Sequence, residues 1–160
     1  MKPQIFVSNK KPKPSMVNQI SNRNHSKPSG GVWTSPQRTD CISAYEQFES
    51  GALVQSDQTV WRLSPKKGCN IFEVNCVEDL GELPETEPIG TFDETYIDFE
   101  ELFSSGVHGL YINGSVAHKK GFSSEYNLYG WDFECVLWRS LEWVDRVKEL
   151  GKVRELSNNF

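Results

Sequence analysis

Two carboxylates stand close together in the aromatic run 131–138, whose composition is typical of a β-strand. Successive strand side chains point to opposite faces, so Asp132 and Glu134 are expected to share one face, and Phe133 and Cys135 the other. Burying an unpaired charge is costly, and a face with two carboxylates is therefore expected to line a cleft. The plainer alternative is that Glu134 is a solvent-facing residue of an edge strand.

A second aromatic and polar run, 30–36, lies early in the chain and predicts a short strand that stops at Pro36. Gly30 and Gly31, just before it, allow the backbone to approach a ligand closely. The indole of Trp33 offers a face on which an aromatic ring can stack. The structural alternatives are a loop hinge for the glycine pair and a core position for the tryptophan. Together the two runs are expected to line one cleft.

The apolar pattern predicts an α+β domain built from short strands and two or three helices. The turn signal Asn113-Gly114 follows one strand and leads into a polar, aromatic loop at 115–129. A single helical turn is predicted at 77–83. Strands are predicted at 4–8, 32–35, 60–63, 70–74, 109–113 and 131–138, and helices at 40–50, 98–103 and 141–150.

Length and composition narrow the class of protein. A chain of 160 residues is the size of one domain and can bury a substantial core. No apolar run reaches the length of a membrane helix and no signal peptide opens the chain, which predicts a cytoplasmic protein without a membrane partner. The four cysteines lack the paired spacing of a zinc site and are expected to be reduced. His25, His108 and His118 are scattered along the chain, so no metal is expected.

Charge is distributed unevenly along the chain. Residues 1–40 hold seven basic side chains and one acidic one, whereas 78–101 hold ten acidic side chains and no basic one. Within the basic part, the polar, proline-rich stretch 9–29 predicts a flexible loop that closes over the cleft when a ligand binds. The acidic run is typical of a solvated surface, and the alternative is a nucleic-acid mimic or a surface for a basic partner. Direct binding of nucleic acid is not expected.

The order of these pieces resembles the ADP-ribosyltransferase fold, whose members carry three dispersed motifs on the strands of a split sheet. The middle of the chain, with its strand, helix and Gly-containing strand, resembles small phage and bacterial members. The resemblance implies a single domain over residues 1–160, with a split, mostly antiparallel sheet and two or three flanking helices. The stretches that correspond to the three motifs are 5–10, 31–35 and 132–134.

The resemblance also implies a chemistry in which NAD is the substrate and the bond between nicotinamide and ribose is broken. Positive charge develops on the ribose in the transition state, and a carboxylate beside it stabilises that state more than the ground state. Glu134 is the candidate for this catalytic carboxylate, and Asp132 occupies the position that faces the acceptor. A hydroxyl of Ser35 or Thr34 is expected to hold Glu134 in its rotamer.

The nucleotide-binding residues are implied in the same way. They include a polar residue in place of the Arg or His of the first motif, a lysine for the pyrophosphate, and one aromatic ring among three for stacking. The residues expected to bind NAD are Asn9, Lys10, Lys27, Gly30, Gly31, Trp33, Thr34, Tyr126 and Tyr129.

Two functions are compatible with this pattern. The first is NAD-dependent transfer of ADP-ribose to a host macromolecule, or hydrolysis of NAD, by a phage effector that acts against host defence. The second is a phage inhibitor without catalysis, which captures a nucleotide signal or a host defence protein. In that case the acidic run 78–101 is a candidate contact surface.

Overall fold

The computed structural model describes residues 1–22, 27–39, 57–86, 95–120, 126, 128 and 131–156. Short 3₁₀ helices occupy Pro14–Met16 and Glu78–Glu82, and the α-helices are α1 Phe99–Ser104, α2 Gly114–Lys120 and α3 Val153–Leu156. The strands are β1 Gln4–Ser8, β2 Val32–Pro36, β3 Thr59–Pro65, β4 Ile71–Val74, β5 Glu85–Thr86, β6 Tyr96–Ile97, β7 Gly109–Ile112, β8 Cys135–Trp138 and β9 Val144–Lys152.

Seven of the described strands form one sheet in the order β4-β7-β8-β2-β1-β3-β9, and β5 pairs with β6 separately. Within the seven-stranded sheet, β4 and β7 run parallel, and the other neighbouring pairs run antiparallel. The α+β class with a mostly antiparallel sheet is therefore confirmed. No helix in the described part of the chain is long and apolar enough to cross a membrane.

Every residue of β8 is buried, because hydrophobic clusters cover both faces of the sheet at this strand. Cys135 and Leu137 pack into the core beneath α1 and α2. Val136 and Trp138 point the other way, into a second core. There the indoles of Trp138 and Trp143 stack with their ring centroids 3.7 Å apart.

A chain of buried polar side chains joins three strands across the centre of the sheet. The indole Nε1 of Trp138 donates to Thr34 Oγ1 over 2.7 Å, and that hydroxyl donates to Gln4 Oε1 over 2.9 Å. Gln4 Nε2 then donates to the carbonyl oxygen of Lys2 over 3.0 Å. Gln4 is fully buried and Thr34 nearly so, and each polar atom named here has its partner within the protein.

The predicted strand at 131–138 is shorter than expected, because β8 begins only at Cys135. Its last pair with β7 is Cys135 with Ile112. After Ile112 the polypeptide leaves β7 and begins α2 at Gly114. A Cβ on Gly114 would lie 3.4 Å from the Cβ of Glu134. Because a helix begins where a partner strand would be needed, Asp132 and Glu134 do not belong to one strand. The prediction that they share a strand face is wrong.

The predicted turn at Asn113-Gly114 and the first part of the loop predicted at 115–129 are also replaced by a helix, α2, while most of the remaining loop lies outside the described residues. Asn113 accepts hydrogen bonds from the backbone N–H and the hydroxyl of Ser115, both at 2.9 Å, and its carbonyl accepts from the N–H of Ala117. These bonds satisfy donors at the start of α2, which is the role of an N-cap residue. The same residue types favour turns and helix starts, so the local sequence could not separate the two.

The helix predicted at 141–150 is wrong, because residues 144–150 belong to β9, an edge strand that pairs with β3, and 141–143 form a turn before it. Arg146 and Val144 pair with consecutive residues of β3, which leaves Asp145 as an extra residue. Such a bulge shifts the alternation by one position, so that Val144 and Val147 pack into the same core. The resulting spacing of three residues imitates a helix.

Other predicted elements hold or lie outside the described residues. The strands at 4–8, 32–35, 60–63, 70–74 and 109–113 are present as β1, β2, β3, β4 and β7, and the turn at 77–83 is a 3₁₀ helix. Asp98 caps α1 by accepting from the N–H of Glu101 at 2.9 Å. The helix predicted at 40–50 lies outside the described residues.

Replacing Thr34 with valine tests the buried polar chain. Valine keeps the shape but leaves the indole N–H of Trp138 and the amide oxygen of Gln4 unpaired, so the free energy of unfolding should fall by about 2–4 kcal/mol. Thr34→Ser keeps the hydroxyl and removes one methyl, which should cost about 1 kcal/mol. Urea denaturation of both variants measures the difference. Equal destabilisation would show that the hydrogen bonds contribute little.

Candidate functional site

The main candidate site is a pocket of about 510 Å³ between β1 and β2. These strands pair only at Gln4 with Pro36 and at Ile5 with Ser35. Beyond those two pairs, residues of both strands line the cavity, which we call the β1/β2 pocket. Its volume is within the range of small-molecule sites. The lining residues are Ile5, Phe6, Val7, Pro12, Met16, Lys27, Gly31, Val32, Trp33, Thr34, Ser35, Asp132, Phe133, Cys135 and Leu141.

One wall of the pocket comes from the described parts of the basic segment 9–29. Pro12, Met16 and Lys27 line the cavity. The segment is tied to the fold nearby, because Ile20 is buried in the core, and Ser21 and Ser29 exchange backbone hydrogen bonds of 3.1 Å. Its closure on ligand binding stays a prediction.

Asn22 fastens the same segment to the start of α1. Its side-chain oxygen accepts from the N–H of Phe99 at 2.9 Å, and its Nδ2 donates to Asp98 at 2.7 Å. Its backbone N–H donates to the Glu100 carboxylate at 3.0 Å. These bonds hold the chain just before the part of the segment that carries Lys27.

The two glycines are required by packing within the protein. Gly30 and Gly31 have φ values of +81° and +68°, which other residues rarely adopt. A Cβ on Gly30 would clash with the carbonyl oxygen of Gln19, and one on Gly31 would lie 2.7 Å from Leu137 Cδ1. Gly31 also lines the pocket, whereas Gly30 is not among its lining residues.

Aromatic side chains and one cation meet inside the pocket. The Nζ of Lys27 lies 4.7 Å from the ring centroid of Trp33, which is a cation–π contact. Trp131 contacts Trp33 edge-on, with ring centroids 4.6 Å apart. Asp132, the neighbour of Trp131 in the chain, places an exposed carboxylate at the same cavity. An aromatic face, an ammonium and a carboxylate are therefore available to one ligand.

The two hydroxyls predicted to hold the catalytic carboxylate have other partners. Thr34 belongs to the buried polar chain. Ser35 Oγ donates to the backbone oxygen of Glu134 over 2.9 Å, and not to its carboxylate. Both side chains are buried, so they fix strand positions more than they present hydroxyls to a ligand.

Glu134 lies at a different cavity, of about 180 Å³, which is also lined by Glu73, Asn75 and Tyr111. The Tyr111 hydroxyl donates to Glu134 Oε1 over 2.8 Å. Burial raises the pKa of Tyr111 well above its ordinary value, and the hydrogen bond to Glu134 raises it further. Asp132 and Glu134 thus face separate cavities. The prediction of one cleft for both carboxylates rested on a continuous strand over 131–138.

The remaining predicted binding residues lie elsewhere. Asn9 and Lys10 are exposed and are not among the residues that line the pocket. The Tyr126 hydroxyl donates to Glu85 Oε1 over 2.6 Å, at the small β5–β6 sheet. Tyr129 lies outside the described residues. Among the predicted site residues, the pocket brings together Lys27, Gly31, Trp33, Thr34, Ser35 and Asp132.

Several lining residues had no signal in the sequence. Pro12 and Met16 come from a stretch without periodicity, and Phe6 alternates with core residues of β1 as any strand residue does.

The described residues contain no group of three or more His, Cys, Asp or Glu side chains that could hold a metal. In the acidic run, backbone N–H groups of Cys76 and Asn75 donate to Asp79 and lower its pKa, which gives this carboxylate a structural role.

Comparison of the chain with protein-family models, curated proteins and solved structures finds no match. The likeness to ADP-ribosyltransferases therefore stays a hypothesis drawn from the order of the motifs.

The raised pKa of Tyr111 predicts a specific loss of stability at alkaline pH. Its hydroxyl stays protonated in the folded state, so its contribution is complete below the unfolded pKa of about 10 and is lost as the pH rises towards the folded value. The free energy of unfolding of Tyr111→Phe should decline less steeply above that pH than that of the unchanged protein. Glu134→Gln should move the Tyr111 pKa downwards in an NMR titration. Superimposable stability curves for the two proteins would contradict this coupling.

Proposed function

We propose that the β1/β2 pocket binds a nucleotide, and that the protein acts by capturing this ligand without catalysis. The lining is largely apolar, with a few polar groups that converge on it, which is the usual make-up of a small-molecule site. The Trp33 ring is suited to stacking with a base, and the Lys27 ammonium is suited to a phosphate. The observation that carries the proposal is that these two groups meet in one cavity, 4.7 Å apart.

The absence of Glu134 from this cavity favours binding over catalysis. In the expected reaction, a carboxylate next to the ribose must stabilise developing positive charge. Glu134 instead accepts a hydrogen bond from Tyr111 at a separate cavity. With the hypothesis of a likeness to small phage members, we therefore propose a phage inhibitor that captures a nucleotide signal of a host defence system.

Calorimetry with AMP, GMP, ADP-ribose, NAD and cyclic mononucleotides tests the proposal. At least one of these ligands should bind the unchanged protein, and Lys27→Ala should weaken the binding about tenfold or more, because it removes a charge-assisted contact to phosphate. Lys11→Ala is the matched control, since Lys11 is exposed in the same segment and does not line the pocket. Equal losses in the two variants, or no binding of any of these ligands, would refute the assignment.

A second candidate, NAD-dependent transfer or hydrolysis, is favoured by the carboxylate of Asp132 at the pocket. Asp132 follows Trp131, whose ring touches Trp33, so a ligand stacked on Trp33 would lie near this carboxylate. If the protein turns over NAD, Asp132 is therefore better placed than Glu134 to stabilise the ribose cation.

Labelled NAD, incubated with the protein and a host lysate, tests the second candidate. Asp132→Asn should lower the rate by about two to three orders of magnitude, as the loss of a major electrostatic stabiliser does. Glu134→Gln should leave most of the rate, because its side chain lies at the other cavity. The reverse order would restore Glu134 as the catalytic carboxylate. Binding without release of nicotinamide would leave capture as the function.

A further inference from the structure

The Lys27 ammonium lies against the Trp33 ring, on which a nucleotide base would stack. Its Nζ is 4.7 Å from the Trp33 ring centroid, and both side chains line the β1/β2 pocket. An ammonium over an indole is attracted by the negative face of the ring. A base that stacks on this face must therefore first displace a favourable internal contact.

We infer that Lys27 is the residue that makes the pocket select nucleotides over nucleosides, by moving from the Trp33 ring to the ligand phosphate. This inference rests on the proposed function and specifies how the site works. A nucleotide brings both a base for the Trp33 ring and an anion for the displaced ammonium. A nucleoside displaces the ammonium and offers no anion in exchange. An anion without a base draws the ammonium away and leaves the ring uncovered.

The surroundings of Lys27 allow its side chain to move while its backbone stays in place. Pro28 is buried, and the next residue, Ser29, is held to Ser21 by two backbone hydrogen bonds of 3.1 Å. The Lys27 side chain itself is exposed and has several rotatable bonds. A change of rotamer is thus sufficient for the exchange, and the chain that forms the wall of the pocket does not have to open.

This exchange predicts opposite effects of one substitution on two related ligands. Lys27→Ala removes the partner of the phosphate, so AMP should bind about tenfold or more weakly. The same change uncovers the Trp33 ring, so adenosine should bind about two- to fivefold more tightly, which is the factor expected from the loss of a competing cation–π contact. A lysine that only attracted phosphate would leave adenosine binding unchanged.

Calorimetry of AMP and adenosine, with GMP and guanosine as a second pair, measures these effects. Lys27→Arg should keep the preference for the nucleotide, and Lys11→Ala should change neither affinity. In the NMR spectrum of the free protein, the Lys27 side-chain protons should be shifted by the Trp33 ring current, and AMP should reverse that shift.

The outcomes separate the exchange of the Lys27 ammonium from the proposed binding of a nucleotide in the pocket. Opposite changes for adenosine and AMP in Lys27→Ala support the exchange. Weakening of AMP with no gain for adenosine overturns the exchange and leaves the nucleotide site intact. A Lys27 resonance that shows no ring-current shift in the free protein also overturns it. If neither AMP nor GMP binds the unchanged protein, the inference fails. The proposed function fails with it only if ADP-ribose, NAD and the cyclic mononucleotides do not bind either.

Discussion

A buried hydrogen-bond chain runs from Trp138 through Thr34 to Gln4 and holds the middle of the sheet together. It ties β8, β2 and β1 together at the point where β1 and β2 share only two register pairs. A buried polar group without a partner is costly, so these three side chains fix one another's positions. The sheet stays continuous there although its backbone pairing is short, and the pocket opens just beyond.

The pocket follows from this brief pairing and from the segment that covers it. Beyond Ile5 and Ser35 the two strands line a cavity, and residues of the basic segment close one side of it. The positive φ values of Gly30 and Gly31 bring that segment back against Gln19 and Leu137. The glycine pair therefore allows this wall of the pocket to pack against the core. The same wall carries Lys27, whose ammonium lies over the Trp33 ring.

The side chains of Asp132 and Glu134 line different cavities, because the chain before Cys135 is not a strand. In a continuous strand, Asp132 and Glu134 would have acted on one ligand. Because α2 begins beside Glu134, its carboxylate meets Tyr111 at a small cavity, while Asp132 reaches the β1/β2 pocket. This separation is the physical reason why ligand capture, and not the expected catalysis, is the function that we propose.

The class of the fold and much of the strand content follow from the sequence, because alternating and buried apolar runs such as those of β1 and β3 are visible as local periodicity. The sequence also indicates a helix that begins at Asp98, and it points to Lys27, Trp33 and Asp132 as site residues. Tertiary pairing with β3 makes the segment after Leu141 an edge strand, and a bulge in that pairing gives its apolar residues a helical spacing, which is why the sequence indicated a helix. Tertiary structure likewise decided which carboxylate faces the pocket, because that depends on the partner available beside β8 and not on the residues of β8 themselves.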